Sequence, residues 1–203
     1  MRAAAGVRTG DRPGRADPDL DAALLAAQAG DEAGFTALYR HLQPRLLRYA
    51  TALVGAEAED VTAETWLHVA RGVRGFVGDV DGFRGWVSTI CRNRAVDVLR
   101  RRGRRAGESL DEDALTEVAD RHDASDGALG SLATRWAMDL ILELPRTEAE
   151  AVLLRAVIGL DAASAGQVLG KRPGAVRVAA HRGLRRLARR LEDERGKAGG
   201  EDA

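Results

Sequence analysis

The 203-residue chain contains one cysteine, five prolines, only 4% aromatic residues and no net charge. A single cysteine forms no internal disulfide and fits a reducing, cytoplasmic compartment. No apolar run approaches the roughly 18 residues of a membrane span, so no helical insertion into a membrane is expected. The opening MRAAAGVRTGDRPGRADPD has charge but no apolar segment and does not read as a secretory signal. Its Gly, Pro, Arg and Asp suggest a disordered lead-in over residues 1–20. His41, His68, His122 and His181 are scattered without metal-ligand spacing. There is no glycine-rich phosphate loop, no nucleophile motif and no pair of carboxylates set for acid–base work. These absences predict no metal, no cofactor and no catalytic centre.

What the chain does have is alanine, leucine and arginine with helical periodicity throughout, which predicts an all-α fold. Asp31 to Val54 carries Phe35, Leu38, Tyr39, Leu42, Leu46, Tyr49, Ala50 and Leu53 at spacings of three and four, with Asp31 as N-cap and Gly55 as stop. Glu57 to Val73 is a second helix with Val61, Trp66, Leu67, Val69 and Ala70 apolar. Gly72, Gly75, Gly78 and Gly82 then read as turns, before Phe83–Ile90 leads into a basic helix.

Neutrality hides segregation of charge. Residues 31–105 hold 13 basic and 9 acidic residues, residues 106–134 one basic and eight acidic, and residues 135–191 eleven basic and five acidic. Two basic blocks joined by an acidic strap read as two small helical domains, 21–105 and 135–191, facing nucleic acid across a flexible linker, with a disordered tail at 192–203. The strap's negative charge suits solubility, or competition with DNA for the basic surfaces.

The densest charge lies in FRGWVSTICRNRAVDVLRRRGRR, 83–105, where eight arginines face one acid, Asp97. At about 100° per residue, Asn93, Asp97, Arg100, Arg101 and Arg104 share one face, and Cys91, Ala95, Val96, Val98 and Leu99 the other. Asn offers a donor and an acceptor to a base edge, and Arg serves phosphates and guanines. A solvated basic helix capping a core is the plain alternative. Further on, Trp136–Leu144 starts a second helical unit closed by Pro145, and Thr147 with Glu150 three residues later matches a capping box. In GLDAASAGQVLGKRPGAVRVAAHRGL, 159–184, Asp161 caps a short helix ending near Leu169, Gly170 supplies the turn, and Pro173 opens a basic helix. That is the helix-turn-helix plan. Val176, Ala180, Leu184 and Leu187 form its expected inner stripe, with Arg177, His181 and Arg185 outside and Arg182 beside them.

Taken in order, AEDVTAETWLHVA (58–70), FRGWVSTICRNRAVDVLRR (83–101) and GLDAASAGQVLGKRPGAVRVAAHRG (159–183) resemble the extracytoplasmic-function (ECF) sigma factors of bacterial RNA polymerase, in the sigma-70 family. The likeness spans about two-thirds of the chain. It implies a region-two domain that binds core polymerase and a region-four domain that reads the −35 element. Asp60 and Glu64 would meet the polymerase clamp. Trp86, Arg92, Asn93, Arg94, Asp97, Arg100 and Arg101 would serve the −10 element, with Trp86 near a flipped base or in the core, Asn93 on a base edge, the arginines on phosphates and Asp97 orienting them. Arg172, Arg177, His181, Arg182 and Arg185 would serve the −35 element. Core RNA polymerase and promoter DNA are the implied partners, with an anti-sigma factor as a further one. The chain departs from the family pattern at Ala63, at Ala163–Ala165, at Ala179 and at Gly166, which as a helix-interior glycine costs about 1 kcal/mol relative to Ala. The rival reading is a one-component regulator that binds a palindrome through its helix-turn-helix.

Overall fold

The computed structural model describes residues 19–105 and 132–198; the expectations for the lead-in, most of the acidic strap and the last residues lie outside them. Eight α-helices are present among the described residues and no β-strand. The first unit comprises α1 (Leu20–Gln28), α2 (Glu32–Val54), α3 (Ala58–Gly72) and α4 (Val80–Arg105). The second comprises α5 (Leu132–Leu142), α6 (Arg146–Val152, continued by a π-helical stretch Leu153–Ile158), α7 (Ala162–Leu169) and α8 (Pro173–Ala198).

Helix α1 has no counterpart among the sequence expectations. Asp19 caps it by accepting from the Ala22 N–H at 3.0 Å, and its Leu20, Leu24 and Ala27 are buried against α2. Gly34 permits that approach, since a Cβ there would lie 2.7 Å from the Ala23 carbonyl oxygen. Asp31 caps α2 as expected, accepting from Ala33 at 2.9 Å, and Gly55 stops it with φ 64°. Pro44 is accommodated inside α2.

Some boundaries differ from expectation. Gly82 does not break the chain, because Asp79 caps upstream, accepting from the Gly82 N–H at 2.8 Å, and α4 runs unbroken through Phe83–Ile90. Leu132 rather than Trp136 opens α5, and α8 extends to Ala198, past residue 191. Thr147 is not a cap: Pro145 occupies that position and its carbonyl accepts from Glu148 and Ala149. Glu150 therefore completes no capping box.

The buried residues form one continuous cluster through both units. The two helical units expected from the sequence also touch: α4 packs on α7, and α2 on the π-helical stretch. Between the units, the Arg92 Nε donates to Glu150 Oε2 at 3.2 Å, and Glu150 Oε1 also accepts from Arg146 Nε at 2.9 Å. The Glu150 side chain is only 7% exposed, so one nearly buried carboxylate is held by guanidinium groups from both units.

Candidate nucleic-acid and polymerase interfaces

The inner face of α4 is apolar and fixed. Phe83, Val87, Ile90, Cys91, Ala95 and Leu99 are buried. Burial pushes the Cys91 thiol up to about 12, which Thr65 offsets only in part by a hydrogen bond. Beside it, burial raises the Tyr49 phenol well above its ordinary value.

On the outer face, Asn93, Asp97 and Arg101 are exposed, with Arg94 and Arg100 half-exposed. Arg94, Asp97, Arg100, Arg101 and Arg104 line one concavity of about 460 Å³ with Glu64 of α3. Glu64 approaches Arg94 at 3.8 Å between two exposed groups, a pairing that leaves the arginine's charge available. Asp97 lies among these arginines, and Arg101 Nε donates to its backbone carbonyl at 3.2 Å. Asn93 is exposed and has no hydrogen-bond partner among the described residues. Trp86 is half-buried: it stacks on Phe76 with centroids 5.3 Å apart, tilts against Phe83 at 5.9 Å and meets His68 edge-on at 6.4 Å. Arg92 stands apart from the concavity, turned toward Glu150.

The neighbouring face of α3 presents Asp60 and Glu64, both exposed. With Glu57, Leu67, Arg101 and Arg102 they line a groove of about 370 Å³. Leu67, one of the helix's apolar residues, is 57% exposed. The signal was in the spacing: Asp60, Glu64 and Leu67 at i, i+4 and i+7 share one helical face. Arg102 holds that groove's end in place, pairing with Glu57 and donating to the Val54 carbonyl at 2.7 Å.

In the second unit, Asp161 caps α7 by accepting from the Ser164 N–H at 2.7 Å, and this bond holds its carboxyl below the ordinary range. Gly170 turns the chain at φ 63° and α8 begins at Pro173. Gly166 is no defect. A Cβ there would lie 2.6 Å from the Lys171 carbonyl oxygen, so the tight turn requires glycine. Arg172, Arg177, His181, Arg182 and Arg185 are all exposed on or beside α8. The inner stripe is corrected at one position: Leu184 is 51% exposed, and Gly183 is buried against Val152, Leu144 and Glu148. Arg186 clips α8 to Glu148 at 3.0 Å, and Arg190 pairs with Glu143.

Two family models match the chain: Sigma-70 region 2 over residues 38–105, and Sigma-70, region 4 over residues 134–187. The ECF RNA polymerase sigma factor ShbA of Streptomyces griseus is 31% identical over 179 residues, covering 83% of this chain and 93% of that protein. The chain belongs to the ECF sigma factors. Factors of this family direct RNA polymerase to particular promoters. ECF sigma factor BldN of Streptomyces coelicolor is 33% identical over 174 residues, covering 83% of this sigma factor but 64% of BldN. SigD of Mycobacterium tuberculosis H37Rv is 32% identical over 178 residues, covering 83% and 82%. Among solved structures, the CnrH chain in complex with the cytosolic domain of CnrY has a TM-score of 0.58 at 20% identity, covering 86% and 99% of the two chains. RpoE of Bartonella quintana, in complex with the anti-sigma factor NepR, has a TM-score of 0.56 at 20% identity, covering 78% and 96%. At that identity the likeness speaks for the all-α, two-unit fold. In this sigma factor the region-2 match contains α3 and α4, and the region-4 match contains the helix-turn-helix.

Proposed function

We propose that residues 21–105 bind core RNA polymerase and read and open the −10 element, while residues 135–191 read the −35 element. Asp60 and Glu64, with Leu67 between the arms of the same face, offer the polymerase two carboxylates and an apolar anchor. Asn93 reads an unstacked −10 base, and Arg94, Arg100 and Arg101 hold the phosphates around it. Arg172, Arg177, His181, Arg182 and Arg185 face the −35 major groove. Arg92 joins the −10 contacts only after releasing Glu150. Trp86 works through packing, since three rings surround it. Polymerisation belongs to the partner, so the factor is not an enzyme, and it works in the cytoplasm where polymerase is. An anti-sigma partner is part of the same reading, supported by the CnrH–CnrY and RpoE–NepR complexes.

The observation that carries this reading is Asn93, exposed and without a hydrogen-bond partner among the described residues, on the arginine face of α4. Asn93→Ala should impair promoter opening and relax preference at one −10 base by about 1–3 kcal/mol, with −35 binding intact. Permanganate reactivity of −10 thymines, on duplex and pre-melted templates, measures it. A pre-melted bubble should rescue lost melting but not lost base preference. Unchanged opening and unchanged preference would remove Asn93 from the reading site.

A further inference from the structure

Two concavities on the described surface mix charges: Glu57, Asp60 and Glu64 with Arg101 and Arg102 in one, Glu64 and Asp97 with four arginines in the other. Another is different. It lies at the junction of the two units, with a volume of about 370 Å³, within the range of small-molecule sites. Arg45 and Arg48 of α2 and Arg84 of α4 form one side, and Ala156, Val157, Ile158 and Gly159 at the end of the π-helical stretch form the other. Among the described residues, no acidic side chain lines it.

The three guanidinium groups are poorly compensated. Arg84 has a side chain only 16% exposed; its Nη1 reaches the largely exposed Asp81 at 3.3 Å, and its buried Nε has no partner among the described residues. The same holds for the buried Arg48 Nε. Arg45 Nη1 meets the His41 ring at 2.6 Å. A buried guanidinium N–H without an acceptor is unfavourable, and two such groups, with a third guanidinium beside them, converge on this groove. An anion entering the groove would supply the acceptor. Arginine forks match the paired oxygens of a phosphate, which has oxygens enough for all three guanidinium groups where a carboxylate has only two.

We propose that this junction groove is a binding site for a small phosphate-bearing anion, held by Arg45, Arg48 and Arg84. Because both units wall the groove, the ligand binds the closed arrangement better than an open one. It therefore shifts the population toward the closed form in proportion to its differential affinity.

The test is calorimetric titration of the full chain with sodium pyrophosphate at ionic strength held constant with sodium chloride. Saturable one-to-one binding is expected. Arg48→Gln and Arg84→Gln should each weaken it by about tenfold or more, and Arg189→Gln, exposed on α8, should leave it unchanged. Circular dichroism melts in chloride identify any variant that fails to fold. For such a position Arg→Lys, which keeps the charge and loses the fork, should give intermediate weakening. Hydrogen exchange should slow at residues 156–159 when pyrophosphate is added. Absence of saturable binding, undiminished affinity in the folded Gln variants, or protection appearing on α8 instead would each overturn the proposal. So would loss of duplex binding in those variants with pyrophosphate binding retained, which would assign the arginines to DNA. None of these readouts uses polymerase, so a negative result leaves the sigma-factor reading standing.

Discussion

Gly166 separates propensity from geometry. As a glycine inside α7, it predicts a gain of about 1 kcal/mol on replacement by alanine. Its position against the Lys171 carbonyl oxygen, a backbone atom that cannot swing away, reverses the sign. Gly166→Ala should destabilise the chain by about 1–3 kcal/mol through overpacking, read by urea denaturation. A stabilised variant would show that the turn relaxes freely. The same blindness explains Leu184 and Gly183. Periodicity favoured the larger apolar side chain for the inner stripe, but α8 approaches α6 closely enough that only glycine fits, and leucine is left outside. Asn93 and the outward residues of α8 were legible, because helical phase alone places an exposed side chain. Glu150 was not: its sequence neighbours suggested a capping role, while its partner Arg92 lies 58 residues away.

At the scale of elements, ends were read well where a side chain and backbone settle them locally. Asp31, Gly55, Asp161 and Gly170 all serve as the sequence suggested. Thr147 failed because Pro145 had already supplied the helix start, and Gly82 failed as a stop because Asp79 caps the turn before it. Asp161 gives the test for α7. Asp161→Ala should cost about 1 kcal/mol, and Asp161→Asn much less, since both Asp and Asn accept at an N-cap. The folded carboxyl sits below its ordinary value, so its ionic contribution is present above the unfolded value of about 3.9 and is lost as pH falls through the lower folded value. Acid unfolding of wild type and Asp161→Asn should therefore converge in that window, and a gap that widens in acid would contradict the assignment. Buried in the middle of α4, Cys91 has its thiol pushed to about 12 and almost no thiolate near neutrality, so it is a core residue rather than a reactive one.

The whole molecule is where sequence said least, because two charge-segregated blocks look independent until their contacts are seen. The Arg92–Glu150–Arg146 cluster and the continuous core tie them together. Removing the carboxylate strands two guanidinium groups, so Glu150→Ala should cost about 3 kcal/mol. Small-angle scattering should report a larger molecule, and denaturation that is a single transition in wild type should split into two. A compact variant melting in one step would show that the apolar contacts alone hold the units together. The junction also joins parts of one covalent chain. Its closure is intramolecular, governed by an effective concentration that the intervening residues fix and dilution cannot change. The fraction of free factor that is shut is therefore the same whether a cell holds few copies or many, whereas occupancy by any separate clamp rises and falls with that partner's abundance.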